Sequence, residues 1–137
     1  MLEKYPKEVK LVYKNFPLVG HKFARKAATA ALAAHEQGKF WEFHDNLFKN
    51  YRNLDDAKIQ EIAKELGLDL ERFNRNGKDS AIQQLIIRDV KNGQQAGVRS
   101  IPTVFVNGKL LKNRSLTGFQ QMIDAELKKS PGEIAPR

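Results

Sequence analysis

Thiol chemistry is the first thing this sequence excludes, because none of its 137 residues is cysteine. A disulfide framework, a thiolate metal site and a cysteine nucleophile all fall with it. Three histidines, His21, His35 and His44, are unevenly spaced and form no ligand pattern. His44 lies on an aromatic stripe with no nucleophile beside it, so it reads as a core or half-buried histidine rather than a base. Asp55-Asp56 reads as a helix start, since no third oxygen ligand follows at calcium-loop spacing. No catalytic residue, metal or cofactor is expected. What remains is binding. Trp41, Phe43, Phe48 and Tyr51 could form a peptide-binding face, although packing of this helical segment on the sheet is the expectation for most of them. Phe16-Pro17-Leu18 reads as a strand exit, and Pro102 as a proline at a strand entrance.

Composition sets the frame for those residues. A hydrophobic fraction of 41% suits one ordinary globular domain. No apolar run approaches the roughly 20 residues of a membrane span. The start, Met1-Leu2-Glu3-Lys4-Tyr5-Pro6, has no basic residue followed by an apolar block, so no export signal is expected on the chain as given. Lys and Arg outnumber Asp and Glu by 24 to 16. These charges are scattered and interleaved with acids, as in Glu71-Arg72 and Arg88-Asp89, with no basic block. A solvated basic surface is therefore expected, and nucleic-acid binding is not.

The elements follow from periodicity. Val9-Lys10-Leu11-Val12-Tyr13-Lys14 alternates apolar and polar side chains and predicts a strand that Asn15-Phe16-Pro17 ends. Residues 21–37 predict a helix with Phe23, Ala27, Ala31 and Ala34 on one face and Gly38 as its stop. Residues 39–50 predict another, striped by Phe40, Phe43, His44, Leu47, Phe48 and Tyr51. Asp55 or Asp56 caps a third with Ile59, Ile62, Ala63 and Leu66 buried. Asp69 caps a short turn, and Asp79 or Ser80 caps a long helix carrying Ile82, Leu85, Ile86 and Val90. The period then changes to two. Thr103-Val104-Phe105-Val106, Asn107-Gly108 and Lys109-Leu110-Leu111 predict a β-hairpin, and Ser115 caps a last helix with Leu116, Phe119, Ile123 and Leu127 inward. Strand, several helices, hairpin and helix make an α/β or α+β domain.

These pieces, in this order, resemble the DsbA-like branch of the thioredoxin-fold thiol–disulfide oxidoreductases. Val98-Arg99-Ser100-Ile101-Pro102-Thr103-Val104-Phe105-Val106-Asn107-Gly108 is similar to that family's cis-proline loop, strand and hairpin. Gly38-Lys39-Phe40-Trp41-Glu42-Phe43-His44-Asp45-Asn46-Leu47-Phe48 resembles the aromatic helix of its helical insertion. Ile62-Ala63-Lys64-Glu65-Leu66-Gly67-Leu68-Asp69 resembles the next insertion helix, and Lys10-Leu11-Val12-Tyr13-Lys14-Asn15-Phe16-Pro17-Leu18 the strand before them. The resemblance implies a thioredoxin-like α/β fold over residues 1–129, with the insertion at about 20–97 and residues 130–137 a disordered tail.

The departure is as informative as the match. The family opens with a central strand and a Cys-x-x-Cys helix, a segment on the order of 30 residues. Here the chain begins at what resembles the last turn of that helix, with the central strand and most of the helix missing. Three outcomes are expected for the two strands left with unpaired edges: direct pairing, filling by another chain or a second copy, or a preceding segment in the natural protein. The resemblance implies bacterial extracytoplasmic work on protein disulfides, as an oxidoreductase or isomerase, but a cysteine-free chain is expected to be redox-inactive. Ser100, Ile101 and Pro102 would then hold a polypeptide substrate or partner protein by strand addition to free backbone groups. The alternative is a non-catalytic thioredoxin-like peptide- or protein-binding module.

Overall fold

A computed structural model describes residues 2–129 of the chain. Six α-helices and one two-stranded sheet are formed among them: α1 (Ala24–His35), α2 (Phe40–Lys49), α3 (Asp56–Glu65), α4 (Leu70–Asn76), α5 (Ser80–Gln95), β1 (Phe105–Val106), β2 (Lys109–Leu110) and α6 (Leu116–Leu127), with a 3-10 turn at Tyr51–Asn53. The helix starts follow side-chain caps. Asp55 accepts from the Lys58 N–H at 2.7 Å, Asp69 from Arg72 at 3.1 Å, Asp79 from Ala81 at 2.9 Å and the Ser115 hydroxyl from Gly118 at 3.1 Å. Each satisfies a donor that the first turn leaves without an intrahelical partner. The chain divides into two compact units. One spans residues 14–97, and the other joins residues 2–13 to residues 98–129. The expected tail, residues 130–137, lies outside the described residues.

The 14–97 unit is helical and has a continuous core. Ala30, Ala31, Ala33 and Ala34 form the buried face of α1, and their small side chains let α2 approach closely. Phe43, Ile62 and Ile86 are fully buried. Phe43 stacks on Phe73 with centroids 5.5 Å apart, a favourable offset arrangement for two aromatic rings. One buried group is charged. Asp89 on α5 is 4% exposed. It accepts from the Asn15 N–H at 3.0 Å and from Asn15 Nδ2 at 2.9 Å through one carboxylate oxygen. Lys14 Nζ lies 3.9 Å from the other. This clip fastens the segment entering the unit to its longest helix.

The second unit contains the hairpin and α6. Asn107 and Gly108 have φ of 48° and 80°, the positive values that a two-residue type I′ turn requires. The register pairs Val106 with Lys109 and Phe105 with Leu110. At Gly118, an added Cβ would lie 2.0 Å from the Asn113 carbonyl oxygen, so the start of α6 can approach that loop only as glycine. Tyr5 is buried and donates its hydroxyl to Asp124 at 2.6 Å. That bond, with burial and the adjacent carboxylate charge, raises the phenol to about 12. Glu126 pairs with Lys109 at 2.8 Å and Lys129 at 2.9 Å. The Lys109 bond first, then the Lys129 bond, lower its carboxyl to about 2.

Residues 9–14 correct the sequence expectation, because they form no strand. The alternation is present, but a strand also needs a neighbour for its ladder, and among the described residues none pairs with it. Leu11, Val12 and Tyr13 are 49%, 59% and 43% exposed. Direct pairing with the hairpin, one of the three outcomes set out for the unpaired edges, is therefore not formed among the described residues. The hairpin strands are also shorter than their sequence signals, at two residues each, although the Leu111 N–H extends the pairing by donating to the Val104 carbonyl at 2.9 Å. The first helix starts at Ala24, after a Phe23 that offers no side-chain cap.

Three outcomes test these packing arguments. Phe43→Ala should lower the unfolding free energy by about 3–5 kcal/mol in urea titration, through lost burial and a cavity. Asp89→Ala should cost about 1–3 kcal/mol by leaving the two Asn15 donors unsatisfied, and Asp89→Asn should cost less. Glu126 favours its charged form in the folded state, so its contribution is present above the usual carboxyl range and is lost as pH falls from about 4.5 toward about 2. The urea midpoint of Glu126→Gln should therefore lie below that of the parent chain at neutral pH, with the gap closing on acidification.

Candidate functional site

The loop ahead of β1 is built so that one residue keeps its backbone free. The Thr103 hydroxyl donates to the Ser100 carbonyl at 2.6 Å. Arg114 Nη1 donates to the Pro102 carbonyl. The carbonyls on either side of Ile101 are thus engaged within the loop, and the Ile101–Pro102 peptide is cis. Among the described residues, no hydrogen bond uses the Ile101 N–H or C=O. Its side chain is also displayed, at 53% exposure. Ser100 and Pro102 are exposed as well. The three residues singled out from sequence therefore form one surface, with a free donor, a free acceptor and an apolar side chain at its centre. That is the equipment for pairing with an extended polypeptide, and it contains no thiol.

Among the described residues, no three His, Cys, Asp or Glu side chains come close enough to hold a metal ion. His44 is half-buried among aromatic rings, with centroids 4.7 Å from Phe48, 5.3 Å from Trp41 and 6.0 Å from Phe40. Its Nδ1 lies 3.1 Å from an Asp45 carboxylate oxygen. This is an aromatic packing arrangement with no nucleophile in it. The aromatic stripe of α2 divides in a way the sequence did not separate. Phe43 and Leu47 enter the core, whereas Trp41, Phe48 and Tyr51 are 44%, 62% and 63% exposed. Phe43 and Leu47, four residues apart, share the inward face of the helix, and the flanks beside that face remain at the surface.

Two contacts escaped the sequence reading. Arg114, which completes the loop, lies beyond the hairpin and carries no local signal. Asp89 does carry one: a carboxylate three residues after Ile86, on the apolar face of α5, must find buried donors.

Comparison with known proteins places this geometry. The family model described as thioredoxin matches residues 1–125. The probable disulfide bond formation protein D of Bacillus cereus is 32% identical over 131 residues, covering 89% of this chain and 60% of that protein. The Na(+)/H(+) antiporter NhaA 3 of Salinispora tropica is 40% identical over 102 residues, covering 74% of this chain and 16% of that protein. The crystal structure of a thioredoxin-like oxidoreductase from Silicibacter pomeroyi superposes with a TM-score of 0.75 at 28% identity, covering 88% of this chain and 69% of that one. The chain thus spans a minor part of the antiporter and three-fifths of the disulfide bond formation protein. With a family match through residues 1–125 and a concordant structural likeness, the chain belongs to the thioredoxin family and has its α/β fold.

Proposed function

We propose that this chain is the polypeptide-holding part of a DsbA-type thiol–disulfide oxidoreductase or isomerase, and that it carries no redox activity by itself. The observation behind the reading is Ile101, whose N–H and C=O are free and whose side chain is half exposed, in a loop whose neighbouring carbonyls are engaged by Thr103 and Arg114. An extended substrate can pair with those two backbone groups and rest an apolar side chain beside Ile101. Ser100 and Pro102 frame the contact. Disulfide exchange proceeds by thiolate attack on a disulfide sulfur, and this sequence has no cysteine to supply the thiolate. The partners are unfolded or extended polypeptides, and the work is extracytoplasmic in bacteria. The names of the similar Bacillus and Silicibacter proteins support the disulfide connection.

A second reading is favoured by the same absence of cysteine. In it, the chain is a non-catalytic thioredoxin-like module that binds a peptide or partner protein at the same edge.

Insulin disulfide reduction separates the two. The 137-residue chain alone should give no turnover above the dithiol blank. Joined to an upstream strand and Cys-x-x-Cys helix, it should turn over, and Ile101→Asp should lower the rate constant for substrate by about tenfold through lost binding. A joined, folded chain that remains inactive would overturn the oxidoreductase reading. The module reading would survive only if the chain alone bound a cysteine-free extended peptide and Ile101→Asp weakened that binding.

A further inference from the structure

The outer edge of β2 is a second place where backbone groups, a groove and charge coincide. In an antiparallel ladder, hydrogen-bonded and non-hydrogen-bonded pairs alternate. The Leu111 N–H donates to the Val104 carbonyl, so the Phe105–Leu110 pair between them and the turn is a non-hydrogen-bonded one. The Leu110 N–H and C=O therefore point away from β1, and no backbone hydrogen bond among the described residues uses them. Beside this edge lies a groove of about 500 Å³ between β2 and α6. Leu110, Leu111, Met122 and Ala125 supply its apolar wall, and its charged lining is Lys112 together with Lys109 and the Glu126 that Lys109 pairs with. No residue of β1 lines it.

Charge decides what fits there. The described residues of this unit carry nine Lys and Arg against four Asp and Glu. Both acids of α6 are engaged, Asp124 by Tyr5 and Glu126 by Lys109 and Lys129. Lys112 is exposed, and none of the ion pairs among the described residues includes it. We infer that the outer edge of β2 binds an extended segment of another polypeptide in which apolar and acidic residues alternate. The segment adds a third strand through the Leu110 N–H and C=O, places its apolar side chains in the groove and sets its carboxylates near Lys112. This surface is separate from the Ile101 loop, and the inference does not depend on the function proposed for that loop.

The test uses the isotopically labelled 137-residue chain and a capped hexapeptide alternating valine and glutamate, followed by amide exchange and chemical shift. Saturable binding should slow exchange of the Leu110 amide by about tenfold. Lys112→Glu, checked for folding by circular dichroism, should weaken binding by about fivefold, the scale of one partly screened charge contact. The matching valine–lysine peptide should bind more weakly than the valine–glutamate one. Equal binding of the two peptides, or none of either, would overturn the inference. So would protection at Phe105 instead of Leu110, binding that leaves Leu110 exchange unchanged, or concentration-dependent protection of Leu110 without peptide, which would assign the edge to a second copy of the chain.

Discussion

Satisfaction of backbone hydrogen bonds is the constraint on which this structure turns. The helical unit meets it internally, because each helix closes its own ladder and side-chain caps finish three of the ends. The unit containing the hairpin meets it only in part. Two strands of two residues leave both outer edges of the ladder unpaired. Residues 9–13 keep strand-like alternation without a strand, and Leu11, Val12, Ile101, Phe105 and Leu110 remain exposed, while Tyr5, Leu111 and Ile123 are buried. A protein normally covers or pairs such edges. Here the proposed binding is placed at those edges.

The placement of helices was legible because it rests on local chemistry. Asp55, Asp69, Asp79 and Ser115 each combine a capping side chain with an apolar stripe behind it, and each cap forms as that combination requires. The hairpin was legible for a similar reason, since Asn107-Gly108 satisfies a turn that few other residue pairs can. The strand expected at residues 9–14 was not, because alternation reports which face a strand would bury and says nothing about whether a neighbour exists to pair with it. The site was half legible. Ser100, Ile101 and Pro102 could be found from their resemblance to a family loop. That Ile101 is the free residue depends on Thr103 and Arg114, and the Arg114 contact spans twelve positions with no motif to announce it.

Family membership and missing chemistry pull in different directions, and the loop reconciles them. A thioredoxin-family protein acting on disulfides must both hold an extended chain and attack its sulfur. These are separable tasks carried by different residues. The holding task needs a free donor, a free acceptor and an apolar contact, which in the function proposed for this chain are supplied by Ile101. The attacking task needs a thiolate, for which a sequence without cysteine has no substitute. His44 packs against the rings of Trp41 and Phe48.

The most direct measurement is amide hydrogen exchange at Ile101 in the 137-residue chain, with and without an unfolded polypeptide whose cysteines are blocked. The account predicts that the polypeptide slows exchange at Ile101, with no covalent adduct formed, because its backbone pairs with the free edge of the loop. Unchanged exchange at Ile101 at polypeptide concentrations that saturate binding elsewhere on the chain would contradict it.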